Sequence, residues 1–407
     1  MQPSNTLNDN KLNQLRNGLS KTAIAFDKNA LAELGDYLDS AKLPSTKDEP
    51  WKYTRLTKLS NTTFIGSSQQ SSHVRIHSKA SQIIFDNGKL VSKDAIAGCA
   101  VLTELTETEL SKINIQKEVF DALNMVYAEN GVFMEISGVL KNPIEIVHLS
   151  NGNKINNLRH IIRIKENAQA EISMIFASEQ TSKSFSNIIS EIHLENGSHL
   201  TLNKLQIEEG QDFHISRDKI IQNRNSHLTL NTLTLNGQFV RNEVTVDVIG
   251  SNAETNLNGV YIPNKQQFVD NHTTIDHKVA HCQSNELYKG VLFDRASGVF
   301  NGKVFVRKDA QKISAFQSNA NILMSQDATI NSKPELEIYA DDVRCSHGST
   351  TGQLDEEAIF YLRSRGLSEI AARKLLITAF VSHVLDKIKC SEVCGFVRDK
   401  LNERLGL

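Results

Sequence analysis

The chain is short of aromatic side chains, proline and cysteine, and it has no long apolar run. Aromatics make up only 6% of its 407 residues, with a single tryptophan. The core must therefore be mainly aliphatic, and side chains for stacking sugars are scarce. Five cysteines (Cys99, Cys282, Cys345, Cys390 and Cys394) are too sparse, and odd in number, for a disulfide framework. They suit a reducing compartment. Charge excess is missing as well. Lys and Arg total 45 against 47 Asp and Glu, which leaves −2 and no electrostatic drive toward nucleic acid. The opening MQPSNTLNDN has no basic region followed by an apolar stretch, so it reads as no secretory signal. The apolar run from Ala371 to Val381 is broken by Arg373, Lys374 and Thr378, and no segment is expected to span a bilayer. Gly348-Ser349-Thr350-Thr351-Gly352-Gln353 lacks the GK[ST] ending of a Walker loop, so any ATP dependence must come from another chain. CxxC pairs and paired zinc-type spacings are also missing. Together these absences predict a cytoplasmic chain that binds neither nucleic acid nor membrane.

What is present divides into three parts. Residues 1–115 read as a helical and mixed region. Leu12, Leu15 and Leu19 recur at helical spacing, as do Leu31, Leu34 and Leu38. Pro44 and Pro50 bracket a turn or extended link ahead of Trp51. Asn87-Gly88 is a type I′ hairpin signal between two apolar strands. Residues 116–350 open with a short helix, Asp121 to Glu129, and then lose helical periodicity. Short alternating segments follow, separated by Asn, Gly, Ser and Lys.

These segments repeat. Ser198-His199-Leu200-Thr201-Leu202-Asn203 returns as Ser226-His227-Leu228-Thr229-Leu230-Asn231. Leu200, Leu202, Leu205 and Ile207 match Leu228, Leu230, Leu233 and Leu235, then Thr255, Leu257, Val260 and Ile262, at spacings of 28 and 27 residues. Each copy is an alternating pair, a one-residue phase slip and a second pair, and the slip predicts a bulge or corner. In a second series, Val244, Val246 and Val248 align with Thr273, Ile275 and His277. This period predicts one turn of a solenoid per copy, a flattened parallel β-helix with two walls and strands stacked at ~4.8 Å. An antiparallel sandwich is the competing reading.

Residues 351–407 turn helical. Asp355 caps a helix that stops at Arg365-Gly366, and Ser368 caps a longer one. On the longer helix Ala372, Leu375, Leu376, Ala379, Phe380, His383 and Val384 form the expected apolar face. A third helix is expected from about Ser391 to Leu401.

Two clusters carry donor chemistry. The first runs from Asp270 through His272, Asp276 and His277 to His281 and Cys282, a plausible transition-metal set by composition. Alternation divides it. His272 faces one way and His277 the other, toward the core, which favours a buried, hydrogen-bonded His277. The second cluster is Arg344-Cys345-Ser346-His347. Cys345 and His347 are two apart and share a strand face, where a thiolate and an imidazole can ligate iron or a cluster. Arg344, if close in space, would lower the thiol pKa. On spacing alone, a small core cysteine beside a capping histidine explains the pair slightly better. For Cys390 and Cys394, two small packing residues are favoured over a metal or redox pair. A further reading is a β-helix carbohydrate lyase or hydrolase with Asp270, Asp276 and Asp294 along one groove.

The stretch DNHTTIDHKVAHCQSNELYKGVL, then SGVFNGKVFV, AQKISAFQSNANILMS and KPELEIYADDVRCSHGSTTGQLDEEAIFYLRSRG, resembles the SufB/SufD family of the SUF iron–sulfur cluster assembly machine. LPSTKDEPWKYT at Leu43 to Thr54 resembles the SufD branch. The resemblance implies a right-handed parallel β-helix between helical termini. It implies a non-catalytic scaffold that pairs with a SufB-like paralogue and docks the ATPase SufC through the C-terminal helices. Cys345 and His347 would lie at the interface with SufB, aiding iron entry, with His272, His277 and Cys282 as secondary candidates. The cysteine-rich pattern of the SufB branch is missing, so the resemblance implies a site shared with a partner. It also implies transient iron or an Fe–S cluster in the complex, and a reduced flavin there. No tightly bound cofactor is expected in the isolated chain, which is expected to form a homodimer through the surface that meets SufB.

Overall fold

The computed structural model describes residues 6–64, 66, 74–110 and 117–404. The expected boundary between residues 115 and 116 lies outside them. The strands are β1 (Ser81–Asp86), β2 (Lys89–Lys93), β3 (Cys99–Val101), β4 (Val132–Ile136), β5 (Ile144–Leu149), β6 (Ile155–Ile164) and β7 (Gln169–Ser178). They continue with β8 (Phe185–Leu194), β9 (His199–Glu208), β10 (Phe213–Gln222), β11 (His227–Thr234), β12 (Phe239–Val248) and β13 (Glu254–Tyr261). The last six are β14 (Phe268–His277), β15 (Gln283–Leu292), β16 (Ser297–Val306), β17 (Ile313–Leu323), β18 (Thr329–Ile338) and β19 (Val343–Gly352).

One wall runs β19-β17-β15-β13-β11-β9-β7-β5-β1-β2, and the other runs β18-β16-β14-β12-β10-β8-β6-β4-β3. From β4 onward successive strands alternate between walls, and from β6 onward each pairs in parallel with the strand two before, so the chain coils into a parallel β-solenoid. Antiparallel β2 and β3 close its first end. The β1–β2 turn is Asn87-Gly88, with φ of 49° and 81°, as a type I′ hairpin requires.

The repeat stacks in register. Leu200 pairs with Leu228 and Leu228 with Thr255, while Leu202, Leu230 and Leu257 form the next row. Val244, Val246 and Val248 meet Thr273, Ile275 and His277 on the opposite wall. The expected bulge at the phase slip is absent, because β9, β11 and β13 pair without a register break. Leu200 and Leu202 belong to the apolar cluster inside the coil, and Leu205 and Ile207 to a different one on its outer surface. The change of parity therefore marks a wall buried on both faces. Where the leucines turn outward, the buried positions between them are Lys204, Gln206 and Glu208.

Helices cover both walls. On the N-terminal side are α1 (Thr6–Arg16), α2 (Lys28–Ser40), α3 (Thr57–Ser60), α4 (Glu107–Leu110) and α5 (Val119–Tyr127). Leu34, Leu38, Trp51 and Phe120 pack with Ile155, Phe185, Phe213 and Phe239 of the even-numbered wall. On the other side are α6 (Glu356–Ser364), α7 (Glu369–Leu385) and α8 (Ser391–Arg404). Ile377, Val381, Val384, Val393 and Val397 cover Leu205, Leu233, Val260 and their neighbours on the odd-numbered wall. Asp355 and Ser368 cap α6 and α7, and Gly366 ends α6 with φ 94°. The buried stripe of α7 is Ala372, Ile377, Val381, Val384 and Leu385. That is rotated from the expected face, and Leu375, Ala379 and His383 are left exposed. A helix apolar nearly all round gives periodicity little to choose between.

The EPWKYT segment acts as a strap across the even-numbered wall. The Arg241 guanidinium of β12 stacks 4.0 Å from the Trp51 ring centroid and donates to the Pro50 carbonyl at 3.0 Å. It also pairs with Asp270 of β14, which accepts the Thr54 hydroxyl. Lys333 of β18 reaches Glu49 at 2.6 Å.

Candidate functional site at the open end of the solenoid

The coil begins with antiparallel β2 and β3 and ends on parallel strands, with no further strand beyond them among the described residues. β18 and β19 are terminal strands of the two walls, each paired on one side only. Such edges carry unpaired backbone donors and acceptors and invite another chain. Apolar side chains stand exposed around this end, among them Phe316, Ile338 and Tyr339.

Cys345 and His347 lie on β19. Cys345 pairs with Ala315 and His347 with Gln317 of β17. Cys345 is half-buried against the apolar lining of the coil, and His347 is exposed. The same strand face carries Ser349, whose hydroxyl lies 2.7 Å from that of Ser332 on the opposite wall. The pair therefore sits on the rim of the lumen. Burial pushes the Cys345 thiol up from its ordinary value, partly offset by hydrogen bonding to the Ala315 backbone. The expected lowering by Arg344 is not found. In a pleated strand Arg344 points to the opposite face from Cys345, and it does not act on the thiol.

Behind the rim lies a polar floor that sequence reading missed. Gln317, beside His347, donates to the Glu286 carboxylate of β15 at 2.5 Å, and both are buried. Asn319 donates to the Tyr261 hydroxyl at 3.1 Å. The signal was available, because Glu286, Gln317 and His347 occupy one row of the stacked register, a coil apart each time.

Burial pushes Glu286 up to about 7, against the opposing hydrogen bond from Gln317. Its folded pKa lies above the unfolded one, so its stabilising contribution is complete below about pH 4.5 and is lost as pH rises through 7. Glu286→Gln is expected to raise unfolding free energy by about 2–3 kcal/mol at pH 8 and to change it little at pH 4. Urea titrations of both proteins at the two pH values measure this, and equal midpoints at pH 8 contradict it.

The structure does not gather His272, His277 and Cys282. His272 faces outward, its Nε2 3.0 Å from Asp270 Oδ1. His277 faces inward, fully buried, its Nε2 2.9 Å from the Ser284 hydroxyl. The Cys282 thiol lies 3.5 Å from the Gly250 and Ala280 carbonyl oxygens, and burial raises its pKa. Nor do the three carboxylates of a hydrolytic groove converge. Asp270 is held by Arg241 and Thr54, Asp276 accepts Arg307 at 2.8 and 2.9 Å, and Asp294 accepts the Lys265 amide in a turn. Among the described residues, one trio of His, Cys and acidic side chains brings its donor atoms together. It is His77, Cys390 and Glu392, away from the rim. Cys345 and His347 thus have no third such donor within this chain's described residues. No helix among those residues is long and apolar enough to cross a membrane.

Residues 147–380 match the family model "SUF system FeS cluster assembly, SufBD core domain". The chain is 29% identical over 378 residues to the iron–sulfur cluster assembly protein SufD of Escherichia coli (strain K12), covering 89% of each chain. It is 31% identical over 397 residues to an iron–sulfur cluster assembly SufBD family protein of Synechocystis sp., covering 89% of this chain and 88% of that one. It is also similar, at 22% identity over 361 residues, to SufD of Bacillus subtilis (strain 168).

Proposed function

The chain belongs to the SufB/SufD family of iron–sulfur cluster assembly proteins, close to SufD, and from that premise we propose that it is a non-catalytic subunit of an ATP-driven SufBCD-type complex. The observation that carries this reading is the thiol–imidazole pair on a terminal strand with one free edge, with no third His, Cys or acidic donor beside it among the described residues. A soft and a borderline ligand suit iron or a nascent cluster, and the remaining ligands come from a SufB-like paralogue that abuts β18 and β19. Iron and the cluster are cargo, held while the complex loads them. The Cys345 thiol gives up its proton as the metal arrives, so loading and deprotonation are one event. Without the paralogue, the same open end pairs with a second copy of the chain.

The C-terminal helices supply the second contact. α6 packs on α7, and Phe360, Tyr361, Ile370 and Leu375 of this helical pair are exposed. We assign this apolar surface to a SufC-like ATPase. ATP hydrolysis there would move the helices and strain the solenoid pairing. Co-expression with SufB-like and SufC-like chains is expected to yield one complex containing iron and acid-labile sulfide. Phe360→Asp with Leu375→Asp is expected to release the ATPase at least tenfold while thermal stability stays unchanged. Mass measurement with iron and sulfide analysis tests both expectations. Failure of the three chains to associate overturns the reading.

A further inference from the structure

We propose that His77, Cys390 and Glu392 form a binding site for one divalent transition-metal ion, at the seam where the C-terminal helices meet the segment entering β1. His77 lies just ahead of that strand, Cys390 ends the loop after α7, and Glu392 is in the first turn of α8. The His77 Nε2 is 3.6 Å from Glu392 Oε1, and the Cys390 Sγ is 3.7 Å from Glu392 Oε2. The donor atoms of all three residues lie within 4.8 Å of one another. A tetrahedral ion with metal–nitrogen and metal–oxygen bonds of ~2.0 Å and a metal–sulfur bond of ~2.3 Å sets such donors roughly 3.3–3.6 Å apart. The two spacings to the Glu392 carboxylate, one to each oxygen, approach that edge length already.

The side chains have little other employment. The Nδ1 of His77 is buried without a hydrogen-bond partner, and its Nε2 is too far from Glu392 for a hydrogen bond. The backbone beneath the ring is fixed, because the Ile76 and His77 amides both donate to Glu145, at 3.1 and 2.6 Å. Glu145 is held in turn by Gln82 at 2.8 Å. Ser391 donates to Glu392 at 2.8 Å. The site is thus three donors from two distant stretches of chain, on a supported backbone, and no fourth His, Cys or acidic donor joins them among the described residues.

The donor set selects the ion. One nitrogen, one sulfur and one carboxylate oxygen fit Zn²⁺, Fe²⁺ or Co²⁺ and disfavour Ca²⁺ and Mg²⁺, which take oxygen. On binding, the Cys390 S–H bond breaks, a metal–sulfur bond forms and the proton leaves to solvent. The ion then ties residue 77 to residues 390–392, clamping the helical cover to the solenoid. Cys394, one turn along α8, takes no part, since its thiol already donates to the Leu385 and Ile388 carbonyls at 3.4 and 3.3 Å. This inference stands apart from the partner chemistry proposed above.

The test uses the full-length chain and Co²⁺ as a spectroscopic probe. Cys345 and His347 are both replaced by alanine to silence the other thiol–imidazole pair. One equivalent of Co²⁺ is expected to give a thiolate-to-cobalt charge-transfer band that Zn²⁺ abolishes. Cys390→Ala should remove the band, Cys394→Ala should keep it, and His77→Ala or Glu392→Gln should weaken binding at least tenfold. Zn²⁺ should also raise the melting temperature of the parent and not that of His77→Ala. Absence of the band, or its survival in Cys390→Ala, overturns the proposal. Should Cys390→Ala fail to fold, the His77 and Glu392 variants, whose side chains are at least partly exposed, decide the matter: unchanged affinity in both overturns it equally.

Discussion

Arg241→Met is expected to lower the unfolding free energy by roughly 3–5 kcal/mol, the usual cost of leaving a buried charge without its partner. Arg241 and Asp270 are fully buried side by side on adjacent strands. The guanidinium also stands 3.6 Å from Glu243, bonds the Pro50 carbonyl and stacks on Trp51. Methionine keeps much of the stem's volume and loses all of these. Burial alone would push Asp270 up, but Arg241, His272 and the Thr54 hydroxyl overcome it and hold the carboxyl at about 2. With a folded pKa below the unfolded one, Asp270 stabilises the parent above about pH 4, and that stability is lost as pH falls through 2. In Arg241→Met the carboxylate loses its main counter-charge, so the deficit should be largest near neutral pH and shrink below pH 4. Urea unfolding at pH 7 and pH 3.5 tests this, and a loss under about 1 kcal/mol at pH 7 refutes it. Asp270→Asn in the same background should recover part of the loss, because no lone charge then remains buried.

That network also shows where sequence reading stops. The stacking of Leu200 on Leu228 and of Val246 on Ile275 was legible, because near-identical segments at a constant spacing satisfy their backbones by lying side by side. The hairpin at Asn87-Gly88 and the caps at Asp355 and Ser368 were legible because each is a local backbone requirement. The outward turn of Leu205 and Ile207 was not. A strand covered on both faces shows two apolar parities, and only the helices lying over it tell that from a bulge. Nor does EPWKYT announce its partner, since Trp51 finds Arg241 across nearly two hundred residues. Within the candidate site, the shared face of Cys345 and His347 follows from their spacing. Their place on an open rim follows only from β19 being the last strand of its wall.

That placement makes the pair the sharpest probe of the proposed complex. Cys345→Ala and His347→Ala are each expected to cut the cluster yield of the co-expressed complex roughly tenfold or more, the range seen when a metal site loses part of its support. The fold should barely respond. His347 is exposed, and Cys345 is a small, half-buried side chain on a terminal strand, so neither substitution opens a cavity of consequence. A fall in cluster yield with unchanged melting temperature and unchanged co-purification of partners therefore reports lost ligation and not lost assembly. Ser346→Ala, between the two and on the opposite face of β19, is the matched control and should leave cluster yield intact. The double variant should be little worse than either single one if thiol and imidazole hold the same ion, and multiplicatively worse if they act separately. Normal iron, sulfide and cluster content in His347→Ala would mean that the rim only meets its neighbour and takes no part in loading.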